Sequence, residues 1–121
     1  MIGMSRQTVY SHARVAQGPL LFVAGQVPMT AGGEVPEGAE AQTRVVLDNI
    51  AAVLAEHGVG WAEVVRVTYY LRDLADLAAL RSVVLEVVPE PRPTSTLLEV
   101  SGFIDARFLV EIDAVADLGA G

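Results

Sequence analysis

The stretch LLFVAGQV (residues 20–27) decides how the sheet of this protein must be covered. In its first residues both alternating sets of side chains are apolar: Leu20 and Phe22 belong to one face of the predicted strand, Leu21 and Val23 to the other. An antiparallel sheet with one face in water normally alternates apolar with polar residues. We therefore expect something other than water to cover both faces of this strand.

The segments around this strand alternate between strand and helix patterns. Apolar residues at spacings of three and four predict an amphipathic helix over residues 39–57, closed by Gly58. A second helix is expected between its N-cap, Asp73, and residue 88, because Pro89 cannot continue it. The predicted strands cover residues 9–16, 20–27, 64–71, 94–101 and 108–116. We expect the first two to form a hairpin, and the order β-β-α-β-α-β-β predicts an α+β fold with a single sheet and two helices on one face.

Composition limits the classes of function. A length of 121 residues suits one domain over residues 1–121. The absence of cysteine and the presence of only two histidines argue against disulfides, thiol catalysis and a histidine-rich metal centre. A net charge of −7, with no cluster among the arginines, argues against a nucleic-acid partner. No apolar run approaches the ~20 residues that span a bilayer, so we expect a cytoplasmic protein without a membrane partner.

The face away from the helices should carry both apolar and charged groups. One register of the third predicted strand places Arg66, Thr68 and Tyr70 there, and the last strand adds Glu111 and Asp113. Charges on a covered face require partners, because an unpaired buried carboxylate is costly. An interface between subunits, with a pocket at its seam, would satisfy the apolar and the charged residues together.

Four segments resemble the RidA (YjgF/YER057c/UK114) family along nearly the whole chain. They are VYSHARVAQGPLLFVAGQVP (residues 9–28), QTRVVLDNIAAVLAEHG (42–58), VVRVTYYLRDLADL (64–77) and VEIDAVA (110–116). The resemblance implies a chorismate-mutase-like fold and a homotrimer with ligand clefts between subunits, without cofactor or metal. The best-known members hydrolyse 2-enamines and 2-imines, made from serine or threonine by pyridoxal-phosphate enzymes, to 2-keto acids and ammonia.

The resemblance also assigns site residues. Tyr10 matches a tyrosine at the cleft wall, Gly25 matches a small residue that lets the ligand approach, and Glu111 matches a glutamate associated with the hydrolytic water. The family's deaminases bind the substrate carboxylate with an arginine, but Ser95 stands at that position here. The remaining candidates for substrate binding are Ala24, Arg81, Thr96 and Leu97.

Other cations could replace the missing arginine. Arg92 lies three residues upstream between two prolines, and reaching the site would require a bulge in the chain. Arg81, on the second helix, either supplies a cation from another side of the cleft or is a solvated helix charge. His12 shares a strand face with Tyr10 and could shuttle protons, although an ordinary exposed or interface histidine is the alternative.

Glu111 also has two interpretations. It could position or activate water, or it could only pair with Arg66 or Arg14 across an interface. We predict a Rid-family protein that binds a small enamine, imine or carbonyl metabolite and hydrolyses the enamine or imine, with Glu111 and Ser95 as catalytic residues. Activity on the 2-imino acids from serine or threonine should be weak. The alternative is a non-catalytic, metabolite-binding or chaperone-like trimer of the same fold.

Overall fold

The computed structural model describes residues 8–119 of the chain. Within them lie four strands and two α-helices, with 3-10 turns at Trp61–Glu63 and Leu74–Asp76. In chain order, the elements are β1 (Leu20–Gln26), α1 (Ala39–Glu56), β2 (Val64–Leu71), α2 (Leu77–Val87), β3 (Thr94–Glu99) and β4 (Val110–Asp117). The predicted α+β fold, with a single sheet and two helices, is confirmed.

The strands form a mixed sheet in the order β1-β4-β2-β3. The last strand, β4, lies in the interior of the sheet and pairs antiparallel with both β1 and β2. Strand β3 pairs parallel with β2, as the crossover through α2 allows. Residues of β4 therefore have neighbours from two strands that are distant from it in sequence.

One face of the sheet is closed by the helices. Alternate residues of β2 and β4, such as Val67, Leu71 and Ile112, are at most 1% exposed and join one apolar cluster with α1 and α2. The helices contribute Leu47, Ile50, Leu54, Leu80, Val83 and Val84 to that cluster. This interdigitated layer is the hydrophobic core, and burial of such side chains is the main favourable term in folding.

The predicted ends of the elements agree closely with the structure. Strand β2 has the predicted bounds, and α1 ends one residue before the predicted position. Gly58 follows that helix with φ = 75°, the left-handed conformation expected of a glycine at a helix C-terminus. The carboxylate of Asp73 accepts a hydrogen bond from the Ala75 N–H at 2.9 Å, so Asp73 caps the turn that leads into α2.

The predicted strand over residues 9–16, and with it the hairpin, is wrong. In the part of the chain that the structure describes, no strand precedes Leu20, and β1 pairs with β4 instead. Polar groups of the segment bond to the loop before β3: the Ser11 N–H donates to the Pro93 carbonyl at 3.0 Å, and Arg14 donates to the Pro91 carbonyl at 3.1 Å. Arg14 also approaches the Val64 carbonyl of β2 at 3.5 Å. A segment whose hydrogen bonds go to an irregular loop has no ladder to join.

Candidate functional site

A cavity of about 170 Å³ lies between the edge strand β3, helix α2 and the N-terminal segment. It is lined by Val9, Tyr10, Tyr69, Leu80, Arg81, Val84, Ser95 and Leu97. Four of the residues named from the sequence therefore meet in one place: Tyr10, Arg81, Ser95 and Leu97.

The register of β3 explains why these residues meet. Ser95 pairs with Val67 and Leu97 pairs with Tyr69, both of which belong to the buried cluster. Successive strand residues point to opposite faces, so Ser95 and Leu97 lie on the helix side, and Thr96 lies on the other.

The floor of the cavity is apolar, and its polar groups are hydrogen-bond donors without partners. Arg81 is exposed and forms no hydrogen bond or ion pair with residues 8–119. The hydroxyl of Ser95, which is half-buried, also forms no hydrogen bond within this range. Among the described residues, no acidic side chain lines the cavity. Burial raises the pKa of Tyr69, and its phenol therefore stays protonated at neutral pH. These groups suit a small molecule with an apolar body and an end that accepts hydrogen bonds.

Tyr10, at the cavity wall, contacts the ring of His12. Their rings make an edge-on contact with centroids 5.4 Å apart and planes inclined at 71°. His12 is itself exposed and does not line the cavity.

Arg92, which the sequence left open as a replacement for the missing arginine, binds the end of α2 instead. Its guanidinium donates to the carbonyls of Val88 at 3.0 Å and Leu85 at 3.4 Å, which belong to the C-terminal end of α2. It also donates to the Thr8 carbonyl at 3.3 Å and pairs with Glu90 at 3.1 Å. Carbonyls at a helix C-terminus favour a cation. Arg92 thus ties the helix end to the N-terminal segment and does not line the cavity.

Glu111 lies on the opposite face of the sheet. It is half-buried on β4, and a methyl group at Gly25 of β1 would overlap its carboxyl oxygen Oε2. The absence of a side chain at Gly25 therefore makes room for Glu111, with Ala24 exposed beside it. Burial raises the pKa of Glu111, and the negative charge of Asp113 raises it further.

The arginines considered as partners of Glu111 are engaged elsewhere within the chain. Arg66 approaches the Thr96 hydroxyl at 3.5 Å, and Arg14 donates to backbone carbonyls. Among residues 8–119, no ion pair involves Glu111. Pairing of Glu111 with either arginine thus does not occur within one chain.

Two neighbours of Glu111 were not identified as site residues from the sequence. Tyr70 pairs directly with Glu111 across β2 and β4, and its hydroxyl donates to Oδ2 of Asp113 at 2.9 Å. Asp113 in turn lies opposite Thr68. The shared face of these residues was predicted, but the hydrogen bond depends on the antiparallel register of strands far apart in sequence.

The sheet thus divides the predicted site into two groups. Tyr10, Arg81, Ser95 and Leu97 line the cavity on the helix side, whereas Ala24, Gly25, Glu111 and Thr96 do not. A small molecule in the cavity of one chain would therefore not touch Glu111.

Comparison with known proteins identifies the family. The chain matches the family model described as Endoribonuclease L-PSP over residues 4–118. A RutC family protein of Pyrococcus horikoshii is 39% identical over 109 residues, which cover 88% of this chain and 85% of that protein. The chain belongs to the RidA/YjgF family. The resemblance to this family that the sequence showed is therefore confirmed.

Solved structures of RidA/YjgF proteins share the fold. The crystal structure of a Rid family protein of unknown function from Yersinia pestis superposes with a TM-score of 0.83 at 31% identity, covering 97% of this chain and 92% of that one. Escherichia coli TdcF with bound serine gives a TM-score of 0.77 at 26% identity, covering 85% and 84%. TdcF carries the name of a proposed reactive intermediate deaminase.

Residues 8–119 lack two other kinds of feature. No helix in this range is both long and apolar enough to cross a membrane. No three or more His, Asp or Glu side chains in the same range are grouped so that they could hold a metal ion.

Proposed function

We propose that this RidA/YjgF protein binds a small enamine, imine or carbonyl metabolite in a cleft between chains and hydrolyses the enamine or imine to a carbonyl compound and ammonia. The observation that carries the proposal is the division of the site: the donor-lined cavity and the Glu111 carboxyl lie on opposite faces of one sheet. A second copy would complete each cavity by bringing its Glu111 to it. TdcF, whose solved structure holds serine, supports a small amino-acid-like ligand.

Apolar groups on the face away from the helices support assembly. Phe22 is 72% exposed, and Leu20 and Leu98 are each 43% exposed in the single chain. Leu98 lies on β3, at the opposite edge of the sheet from β1, so the exposed apolar side chains flank the face on both sides. Large exposed apolar side chains on one face commonly mark an interface. We propose a homotrimer in which this face is buried between copies, with the ligand clefts at the seams.

Assembly can be tested by changing this face alone. Sedimentation should show the Phe22→Asp variant as smaller species than the wild type, because a buried charge opposes association. Ile104→Asp is the matched control, since Ile104 is 93% exposed in a loop away from the strands. A wild-type protein that sediments as a single chain would remove the shared cleft.

In the proposed reaction, water adds to the carbon of the C=N bond and a proton is delivered to nitrogen. The hydroxyl proton of the resulting carbinolamine then passes to the amine nitrogen as the C–N bond breaks, so that ammonia leaves and the carbonyl forms. Glu111 positions and activates the water or carries the proton. Ser95 and nearby backbone amides bind the polar end of the substrate, Tyr10 packs on its body, and the remaining contacts come from Ala24, Gly25, Arg81, Thr96 and Leu97.

Ser95 should limit the choice of substrate. A hydroxyl offers one neutral hydrogen bond, and such bonds contribute about 0.5–1.5 kcal/mol, against about 1.5–3 kcal/mol for bonds to charged groups. Arg81 offers a cation on the helix side, but it is exposed, and water and salt weaken its interactions. We therefore propose weak activity on the 2-imino acids derived from serine and threonine.

A coupled assay with a threonine dehydratase tests this specificity. Wild-type protein should release 2-ketobutyrate little faster than the background, whereas Ser95→Arg should accelerate the release if only the carboxylate contact is missing. Fast release by the wild type would contradict the role given to Ser95.

Replacing Glu111 separates hydrolysis from binding. With an imine that the wild type hydrolyses, Glu111→Ala should lower turnover by about 10²–10⁴-fold while largely preserving ligand affinity. Glu37→Ala is a suitable control, because Glu37 is exposed in the loop before α1. Ligand binding by the wild type without turnover of any imine would favour the non-catalytic binder.

A further inference from the structure

Two carboxyl groups share the open face of β4 in unequal surroundings. Glu111 and Asp113 are two residues apart, and alternate strand residues on one face are separated by about 7 Å. Tyr70 is paired with Glu111 in the register, yet its hydroxyl reaches diagonally to Asp113 at 2.9 Å. A phenol has a single proton to donate. Asp113 therefore receives the donor, and Glu111 receives none from Tyr70.

Within one chain, no cation of residues 8–119 forms an ion pair with Glu111. Strand β1 contributes the glycine Gly25 beside the carboxyl, and β2 contributes the neutral phenol of Tyr70. Two cations follow this register of β2. Arg66 is paired with Val115, four residues from Glu111 along β4, and approaches Thr96. Arg72 comes directly after β2, and its guanidinium donates to the Ala106 carbonyl. The charge that acts on Glu111 within the chain is thus that of Asp113.

The charge of Asp113 acts on Glu111. A nearby negative charge favours the protonated form of a carboxyl group. The pKa of Tyr70 is raised, first by its hydrogen bond to Asp113, so the phenol remains a donor. The pKa of Glu111 is raised by burial and by Asp113, in the direction that the geometry requires.

We infer that Asp113, oriented by Tyr70, is a positioning residue that holds a proton on Glu111. Two neighbouring acids in different environments commonly divide the acid and base roles in this way. The inference rests on the proposed function in one respect: the group that accepts the proton is the nitrogen of the C=N bond. Glu111 would deliver it as water adds, the added water would pass one of its protons to the nitrogen, and Glu111 would recover the other when the C–N bond breaks and ammonia leaves. Asp113 and Tyr70 would not touch the substrate.

The experiment is an NMR titration of the side-chain carboxyl of Glu111 in the full chain without ligand. The titration midpoint should move to lower pH in Asp113→Asn, which removes the charge but keeps the shape of the side chain. Asp113→Glu should restore the wild-type midpoint because it restores the charge. Tyr70→Phe should lower the midpoint by less than Asp113→Asn, since it releases Asp113 without removing it.

Asp48→Asn provides the matched control. It removes one negative charge from an exposed position of α1, on the other side of the sheet, and should leave the midpoint of Glu111 in place. An unchanged midpoint in Asp113→Asn, or an equal change in Asp48→Asn, would overturn the inference. Added salt offers a second measurement that needs no variant, because screening of Asp113 should lower the wild-type midpoint. Both readouts are independent of turnover, so a failed assay for hydrolysis would not be mistaken for a failure here.

Discussion

The two faces of the sheet are built from alternate residues of the same strands, yet they differ in packing and in chemistry. On the helix side of β4, the residues Val110, Ile112, Ala114 and Ala116 are at most 1% exposed. On the open side, Glu111 and Asp113 are half-buried, and Phe22 of β1 projects into solvent. The helix side therefore forms the hydrophobic core. The open side carries partly buried carboxyl groups, whose desolvation costs free energy, and we expect them to serve assembly or chemistry.

Leucine substitutions on the two faces should show the largest difference. Leu71 is fully buried on the helix side of β2, and Leu71→Ala should lower the free energy of unfolding by about 2–5 kcal/mol. Leu98 is 43% exposed on the open side of β3, so Leu98→Ala should cost less than about 1 kcal/mol in the single chain. Urea denaturation at low protein concentration measures both values.

Equal losses would break the comparison, because they would mean that Leu98 is packed as tightly as Leu71. Repeating the measurement at higher protein concentration distinguishes packing of Leu98 within one chain from its coverage by a second copy. If copies of the chain cover the open face, the cost of Leu98→Ala should grow with concentration, and the cost of Leu71→Ala should be large throughout.

The fold could be predicted well because most of its signals are local. The spacing of apolar residues in α1, the glycine after it and the β-branched run of β2 each specify their own element. The prediction of a strand over residues 9–16 was wrong because it relied on local composition alone. Hydrogen bonds from this segment go to the loop at Pro91 and Pro93, which is remote in sequence.

The candidate site residues were named one by one from the sequence, but their arrangement was not predicted. The family match indicated Ser95 and Glu111, and the alternation of a strand already implied that Thr94, Ser95 and Thr96 cannot point the same way. The missing information was the register. Only the pairing of Ser95 with Val67 places it among the buried residues and on the side away from Glu111.

Asp117 shows how the open-side register can hold a carboxylate within one chain. It continues the alternation of Glu111 and Asp113, but it is only 2% exposed, because the backbone N–H groups of Gln17, Gly18 and Gly119 donate to it at 2.8–3.0 Å. These bonds, that of Gln17 first, lower the pKa of Asp117.

The lowered pKa sets the sign of a pH dependence. The contribution of Asp117 is fully present above its unfolded pKa of about 3.9 and is lost as the pH falls through the lower folded value. Asp117→Asn should therefore be less stable than the wild type in urea at about pH 7, and the difference should narrow below about pH 4. A constant difference across this range would show that the charge of Asp117 contributes nothing.

The smallest effect should distinguish two threonines of β3. The Thr94 hydroxyl donates to the Val65 carbonyl at 2.9 Å and is half-buried, whereas the exposed Thr96 hydroxyl is 3.5 Å from Arg66, at the limit of a hydrogen bond. Valine keeps the shape and the strand preference of threonine. Thr94→Val should therefore cost about 0.5–1.5 kcal/mol in urea denaturation, and Thr96→Val less than about 0.5 kcal/mol. A loss for Thr96→Val as large as that for Thr94→Val, appearing only at high protein concentration, would mean that a second chain closes the open face over Thr96.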